Sequence, residues 1–380
     1  MKNVLDSFTQ SFASWEDMLE YHKKQSENSS WITTDVKNLH VCPLDTTSPL
    51  FTTRTLLDPT VPDASIEDTA ENLGLAIKVS GAYVPLRDTA YKSLLDRAKI
   101  GGSVLPKLSK NRLSDILNAC LSVHKKSQAL LLVRDSKVAA VHSGDKRDYS
   151  VLPIDHLLSS FHKMLDDRFP GAAFENGYCD HSIVSATFNL SKQTDELLEA
   201  YQDSLKSLGH SALADSLTPA IRFQTSDVGV SSARVFAYLR SNKMAIAIGN
   251  AIAVDHRHEA KISNFQLEIR RVYAQYQNQI SKLTKLTSIF LTYPINAMIA
   301  ACKKLSLPKK AALEAIHMFE VSWGDDPGTA HDVFMALQEI PYLLKSDGFS
   351  TRKLFETEEK LAGAVSLKWN DFDTAKAVSY

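Results

Sequence analysis

The chain has 380 residues, of which 44% are hydrophobic, and its 43 Lys and Arg nearly balance its 44 Asp and Glu. This composition excludes a disordered, collagen-like or fibrous chain, and the length allows about two or three globular domains. No apolar run approaches the ~18 residues of a membrane span, and acidic residues interrupt the N-terminus where a signal peptide needs an apolar stretch. The four cysteines lie 78, 59 and 123 residues apart, which matches neither a metal site nor a disulfide framework. We therefore expect a reduced, cytoplasmic protein that does not contact a membrane.

The first 71 residues predict a helix and an extended arm. Apolar residues recur at steps of three and four over residues 1–25, which predicts an amphipathic helix. Residues 26–75 are rich in Ser, Thr, Asp and Pro, and four prolines between positions 43 and 62 are expected to break any regular element. Residues 1–71 are thus expected to lie outside the folded core.

Residues 72–255 predict a mixed α/β domain. Its clearest element is a hairpin, with one apolar strand from Ala129 to Val133 and a return strand from Lys137 to His142. Links between several later strands are too short for crossover helices, so we expect a mixed or antiparallel sheet with helices on one face.

Residues 256–380 predict a helical domain. Apolar residues over 265–286 predict one helix of about six turns, and Pro294 should end or kink that helix. The predicted fold class is therefore α+β, with a mixed or antiparallel sheet domain followed by an all-helical C-terminal domain.

The nearly neutral net charge hides a strong segregation of charge along the chain. Residues 92–126 carry 8 basic and 2 acidic side chains, and residues 261–310 carry 9 basic and 1 acidic. The two ends are acidic, with 12 acidic against 5 basic side chains in residues 1–75 and 12 against 6 in residues 311–380. Paired basic stretches are typical of proteins that bind polyanions. The alternative is that they are solvated helix faces balanced in space by the acidic ends.

Cations outside the apolar stripes are the candidate contacts to nucleic acid. Arg270 and Arg271 lie beside tyrosines, and cations combined with aromatic rings are typical of single-strand binding, although Tyr276 also fits the apolar stripe of a buried helix. We expect the cations of residues 270–285 and 107–112 to line one groove. The full candidate set is Lys107, Lys110, Arg112, Lys125, Lys126, Lys146, Arg147, Arg270, Arg271, Lys282 and Lys285.

The densest titratable cluster offers a candidate metal site. His256 and His258 would share one face of a strand, and further ligands could come from Asp255, Cys179 and His181. The alternative is a polar loop that leads into a helix. No phosphate-binding glycine loop, H-E-x-x-H or G-x-S-x-G motif occurs, so no cofactor is expected, and an ATPase, a Rossmann dehydrogenase and an α/β-hydrolase are disfavoured.

Residues 226–232, with the sequence SDVGVSS, link two predicted strands through small residues. This link is either an active-site loop built on Asp227 and the serines or a turn in which Gly229 adopts a positive φ. We favour the turn because the sequence offers no partner base.

Three short stretches resemble an uncharacterised protein family of phages and plasmids, in order over roughly residues 75–345. They are SGAYVPLRD at 80–88, Gly249-Asn250-Ala251 ahead of His256 or His258, and Gly328-Thr329-Ala330 leading into Ala336-Leu337-Gln338-Glu339. In the third stretch, the Trp and the Asn of the usual pattern are missing. Such proteins are often encoded among DNA-processing genes, so the resemblance implies a mobile element in a bacterial host and does not imply a reaction.

The leading hypothesis is a non-enzymatic nucleic-acid-binding protein of a phage or plasmid, which binds or anneals single strands or assists recombination. DNA is favoured over RNA as the partner, and a homo-oligomer is a further expectation. A second hypothesis is an anti-defence or host-interaction protein whose acidic ends present a phosphate-like surface to a host protein. A third is a metal-dependent nuclease or hydrolase that uses Asp255, His256 and His258.

Overall fold

The structure is a computed structural model that describes residues 2–123, 127–241 and 245–380. All ladders between named strands in these ranges are antiparallel. In chain order the strands are β1 (Thr9–Phe12), β2 (Ser29–Asp35), β3 (Val41–Pro43), β4 (Leu75–Val79), β5 (Ala82–Pro85), β6 (Gln128–Arg134), β7 (Lys137–Ser143), β8 (Ala173–Asp180), β9 (Val184–Asn189), β10 (Thr218–Thr225), β11 (Ala233–Arg240), β12 (Ala245–Val254), β13 (Phe290–Leu291) and β14 (Gly328–Thr329).

Helices make up most of the C-terminal part of the chain. In chain order they are α1 (Trp15–Glu27), α2 (Pro49–Thr53), α3 (Asp63–Glu71), α4 (Asp88–Ala98), α5 (Lys110–Ser122), α6 (Ile154–Arg168), α7 (Thr194–Ser207), α8 (Ser211–Ser216), α9 (Ile262–Ile269), α10 (Val272–Leu286), α11 (Pro294–Lys304), α12 (Lys309–Trp323), α13 (Ala330–Leu337), α14 (Ile340–Ser346) and α15 (Thr351–Ala362). None of these helices, within the described ranges, has both the length and the apolar character needed to cross a bilayer.

The main sheet has six strands in the order β1-β8-β9-β10-β11-β12. On one face, Phe223 of β10 packs against Phe161 of α6 and Phe265 of α9, with ring centroids 5.3 and 5.7 Å apart. On the opposite face, Arg222 pairs with Glu358 of α15 at 2.6 Å. Helices therefore cover one face extensively, and α15 adds a layer on part of the other. The predicted α+β fold class is confirmed.

Two three-stranded sheets, β2-β6-β7 and β3-β4-β5, lie in the N-terminal half of the chain. The predicted hairpin is confirmed as β6 and β7, and Asp135 and Ser136 turn between them with φ angles of 50° and 61°. Positive φ at both central residues matches the twist of paired strands. Helix α4 packs on β7, and α5 packs on α4 and β3, so these elements share one hydrophobic core.

The segment predicted as an extended arm is folded, and that prediction is wrong. Strand β2 pairs with β6 along its whole length, beginning with Ser29 opposite Arg134. Two of the four prolines begin helices, since Pro49 lies in the first turn of α2 and Pro62 is the N-cap of α3. A helix start needs no backbone N–H donor, so proline is tolerated there.

The helix predicted over residues 1–25 is correct only from Trp15 onwards. Ser14 caps α1, and the residues before it form the edge strand β1 beside β8. Ahead of β1, the buried carboxylate of Asp6 lies 3.1 Å from Nζ of Lys137 and 3.4 Å from Nη1 of Arg87. These ion pairs connect the segment before β1 to the hairpin and to the start of α4.

The single helix predicted over residues 265–286 is broken into two. Helix α9 ends at Ile269 and α10 begins at Val272, with Arg270 and Arg271 between them. Helix α9 packs on α6 and β12, whereas α10 packs mainly on α7. The break therefore lets each helix follow its own packing partner.

Candidate functional site

A polar cavity of about 450 Å³, named here the central cleft, lies between two sheets. Helix α4 and strand β7 form one wall. The link between β10 and β11 (residues 226–232, named here the serine loop) and the residues after β12 form the other wall. The charged residues of the lining are Asp88, Lys92, Asp96, Arg97, Asp148, Arg234, Asp255, Arg257 and Arg352.

A column of three aromatic rings lies along the central cleft. The Tyr149 ring stacks on His142 with centroids 3.5 Å apart, and on His256 at 5.8 Å. The hydroxyl of Tyr149 and Nε2 of His142 both donate to the carbonyl oxygen of Asp227, at 2.8 and 2.9 Å. Burial lowers the pKa of His142 to about 4, so the ring is neutral near pH 7. Since a carbonyl only accepts, Nε2 carries the proton and Nδ1 presents a lone pair.

The ring of His256 has an unpartnered nitrogen. The backbone carbonyl oxygen of His256 accepts a hydrogen bond from the backbone N–H of Ser150 at 2.8 Å, which holds His256 against the loop that follows β7. The ring is 6% exposed, and its Nδ1 has no hydrogen-bond partner among the described residues. Burial lowers the pKa of His256. A buried polar atom without a partner is costly, so a ligand or water that reaches Nδ1 would be favoured.

Asp227 and Arg134 hold the serine loop on the hairpin. Their side chains form a buried ion pair. Burial disfavours the charged form of Asp227, but the Arg134 guanidinium outweighs burial and holds the pKa of that carboxyl below its ordinary value. The positive φ predicted for Gly229 is confirmed at 79°, and a Cβ there would lie 3.2 Å from Cε1 of His142. The predicted turn is therefore also a wall of the cleft.

Three cations of the cleft have no acidic partner among the described residues. Lys92, Arg97 and Arg257 form no ion pair with any carboxylate of the described ranges, and Nε of Arg97 is buried without a partner there. The other two cations are paired, Arg234 with Glu359 and Arg352 with Glu356. Four carboxylates offset the five cations, so the lining suits a ligand that has both an anionic group and hydrogen-bond donors.

Lys146 and Arg147, two of the predicted nucleic-acid contacts, lie beside the central cleft. Their carbonyl oxygens accept hydrogen bonds from the backbone N–H groups of Glu259 at 3.0 Å and His258 at 2.9 Å. The guanidinium of Arg147 is paired with Asp145 at 3.1 Å. Both side chains are exposed, so they add to the cations at the rim.

Arg270 lines a separate groove of about 360 Å³ between α6 and α9. Lys163 and Arg168 of α6 contribute two more cations, against the single carboxylate of Asp167. These three cations form no ion pair within the described residues. Arg271 is exposed and pairs with Glu268 at 3.3 Å. This groove is a second surface that suits an anion.

The remaining predicted contacts lie on elements that pack on two different hydrophobic cores. Lys107, Lys110 and Arg112 lie before and at the start of α5, which packs on the core that includes the hairpin. Lys282 and Lys285 lie on α10, which packs on the core of the main sheet. A single groove joining both sets therefore stays a prediction. Two more predicted residues, Lys125 and Lys126, lie outside the described residues.

The candidate metal ligands do not come together. In the part of the chain that the structure describes, no three His, Cys, Asp or Glu side chains are grouped so that they could hold a metal ion. Strand β12 ends at Val254, and His258 has a positive φ of 56°, so His256 is buried while His258 is exposed. Cys179 is buried in the main core, and Nε2 of His181 donates to a backbone carbonyl at 2.8 Å. Asp255 is exposed at the cleft.

The sequence patterns did not single out His142 and Tyr149, although both lie in the ring column. His142 follows the apolar run of residues 138–141 in β7, a strand in which every residue is buried, and a histidine in a buried strand is a signal for a site. Lys92 and Arg97 fall in the basic stretch but were not selected from it. Their position at the cleft depends on how α4 packs on β7, which is not encoded locally.

Comparisons with protein-family models, with curated proteins and with solved structures found no match. The case for a function therefore rests on the geometry and chemistry of the central cleft.

Proposed function

We propose that the protein binds single-stranded nucleic acid, with one nucleotide in the central cleft and the neighbouring phosphates at its rim. The observation that carries this proposal is a set of three cations around a polar cleft whose wall contains stacked rings. These cations, Lys92, Arg97 and Arg257, have no acidic partner in the part of the chain that the structure describes. Cations follow phosphates, and rings and hydrogen-bonding groups contact bases, in proteins that bind single strands.

The size of the central cleft favours a strand over a duplex. Its volume of about 450 Å³ falls in the range of small-ligand sites, ~300–1,000 Å³, and suits one nucleotide. A base that is still paired inside a duplex cannot enter a cavity of this kind without unstacking. We therefore expect tighter binding to single strands than to duplexes of the same sequence.

The mixed charge of the cleft fits a nucleotide better than a uniform polyanion. The unpaired cations suit the phosphate, whereas carboxylates such as Asp96 and Asp255 suit the exocyclic amino groups of bases, which donate hydrogen bonds. The lone pair on Nδ1 of His142 adds one more acceptor. A site of this kind gives a moderate dependence on salt, because few phosphates are neutralised.

The proposed setting is a phage or plasmid protein in the cytoplasm of a bacterial host, where it binds DNA and assists strand annealing or recombination. The resemblance of three stretches to a mobile-element family supports this setting, and the four free cysteines are compatible with a reducing compartment.

The experiment is fluorescence anisotropy with a labelled single strand and its duplex at about 50 and 200 mM salt. We expect the double variant Lys92→Ala/Arg257→Ala to bind more weakly and to lower the slope of log affinity against log salt by about 1.4, since each lost contact with a single-strand phosphate removes about 0.7. The matched control is Lys304→Ala/Lys309→Ala, which leaves the cleft lining intact. It removes two exposed cations that form no ion pair with any described residue and lie far from the cleft in sequence. Equal effects of the two double variants would contradict the proposal.

A further inference from the structure

A second cavity, named here the helical groove, has a volume of about 440 Å³ and lies between α12 and α13, with α8 at its side. It shares no lining residue with the central cleft. Most of its lining is apolar, and Phe319 and Trp323 of α12 stack with ring centroids 5.4 Å apart. The apolar lining residues are Leu213, Ala315, Met318, Phe319, Trp323, Met335 and Ala336.

A buried histidine of this lining has a ring nitrogen without a partner. His331 is 1% exposed, and its Nε2 lies 2.7 Å from the hydroxyl of Tyr201. Its Nδ1 is buried and has no hydrogen-bond partner among the described residues. Burial lowers the pKa of His331 to about 4, so the ring is neutral near pH 7.

The Tyr201 hydroxyl decides which nitrogen of His331 carries the proton. Within the described residues this hydroxyl has no other hydrogen-bond partner, so its proton is satisfied only if it donates to Nε2. The neutral ring then carries its own proton on Nδ1. The neutral ring adds no positive charge to the lining of the helical groove.

The charge of the helical groove is negative. Asp332 and Glu339 line it, and its lining among the described residues has no Lys or Arg. His210 also lines it, with Nε2 3.7 Å from Oδ1 of Asp332. One oxygen of Asp332 caps α13 by accepting from the N–H and the hydroxyl of Thr329, at 2.8 and 2.7 Å. Glu339, by contrast, forms no ion pair within the described ranges. A carboxylate beside an apolar wall attracts a cation more strongly than one in open water.

We infer that the helical groove binds a small organic cation with an apolar body. The body fills the space between α12 and α13, and the ammonium group pairs with Glu339. The Trp323 ring adds a face that favours a cation. A mostly apolar cavity with a few placed polar groups is the usual form of a small-molecule site, and its volume lies in the same range.

The test uses three probes that share one body and differ in charge: phenylbutylammonium, phenylbutanol and phenylbutanoate. Binding is measured by isothermal titration on the full chain. We expect the ammonium to bind in the millimolar range, the alcohol to bind more weakly, and the carboxylate to bind least. Glu339→Gln should weaken binding of the ammonium about fivefold and leave binding of the alcohol unchanged.

Two further variants complete the test. Ala336→Trp fills the helical groove and should abolish binding of the ammonium and the alcohol. Glu314→Gln removes an exposed carboxylate of α12 that does not line the groove and should change nothing. Equal binding of the three probes, no binding of any probe, or equal effects of Glu339→Gln and Glu314→Gln would overturn the inference. If Ala336→Trp does not fold, the comparison of the two glutamate variants still decides it.

Discussion

The Nε2 atom of His142 lies 2.9 Å from the carbonyl oxygen of Asp227, and this hydrogen bond joins the hairpin to the serine loop across 85 positions of the chain. The ion pair between Asp227 and Arg134 is a second link between the same two elements. The walls of the central cleft come from different sheets, so its shape depends on these links.

Removing the Asp227 carboxylate should destabilise the fold strongly. In Asp227→Ala the buried Arg134 cation loses its partner, and we expect the free energy of unfolding to fall by about 3–5 kcal/mol. Urea unfolding measures the loss. The double variant Arg134→Met/Asp227→Ala should recover part of it, because no unpaired charge then stays buried. If the double variant loses as much unfolding free energy as Arg134→Met and Asp227→Ala lose together, this view is contradicted.

Stability should fall as the pH is lowered from 7 to 5, and His142 should account for part of the fall. The pKa of His142 is about 4 in the folded state and ~6.5 in the unfolded state, so the unfolded chain binds more protons between these values. The stability that comes from keeping this ring neutral is fully present above pH ~6.5 and is lost as the pH falls towards 4.

For His142→Gln we expect the decrease in unfolding free energy between pH ~7 and ~5 to be ~2 kcal/mol smaller than in the wild type. Urea titrations at the two pH values measure it. The control is His317→Gln, which changes an exposed histidine and should leave the pH dependence as it is. An unchanged pH dependence in His142→Gln would show that this ring is not held neutral.

Lys137→Met should release the N-terminal segment. The ammonium group of Lys137 is fully buried and pairs with Asp6 and Asp68. Its loss leaves Asp68 without this cation and Asp6 with Arg87 alone, at a cost of about 3–5 kcal/mol. Limited proteolysis should then cleave before Trp15 sooner than in the wild type. The control Lys24→Met disrupts an exposed pair with Glu20 and should show no such change. Identical cleavage patterns in the two variants would refute the tethering role.

Gly249→Ala should destabilise β12 for two separable reasons. Gly249 has a φ of 69°, and a Cβ there would overlap the side chain of Gln279 on α10. The positive φ costs about 1–2 kcal/mol for a residue other than glycine, and the overlap adds a packing penalty of about 1–3 kcal/mol. In Gly249→Ala/Gln279→Ala the overlap is removed, so only the backbone cost should separate this variant from Gln279→Ala. If the losses of unfolding free energy in Gly249→Ala and Gln279→Ala, measured by urea unfolding, add up to the loss in the double variant, the overlap is disproved.

Local patterns predicted the elements whose determinants lie close together in the chain. The hairpin was found because an apolar strand, a polar turn and a return strand are contiguous from Ala129 to His142. The prediction for residues 26–71 was wrong partly because strand β2 of this region forms by pairing with β6, about a hundred positions away. Its prolines were taken as breakers, although Pro49 and Pro62 begin helices.

The candidate site was only partly predictable for the same reason. Asp255, His256 and the serine loop were noted from the sequence, but the first two were considered as candidate metal ligands or as part of a polar loop, and no metal site forms in the described residues. Stacking of Tyr149 between His142 and His256 depends on the packing of two sheets. The sequence pattern of a single segment does not predict a contact of this kind between two sheets.

The most direct test of nucleic-acid binding at the central cleft is ultraviolet crosslinking of a single-stranded oligonucleotide, followed by mass spectrometry of the crosslinked peptides. Binding in the cleft predicts crosslinks at Tyr149, in residues 226–232 and in residues 254–258. Crosslinks confined to residues 107–112 and 270–285, or no crosslink at an oligonucleotide concentration that saturates binding, would contradict it.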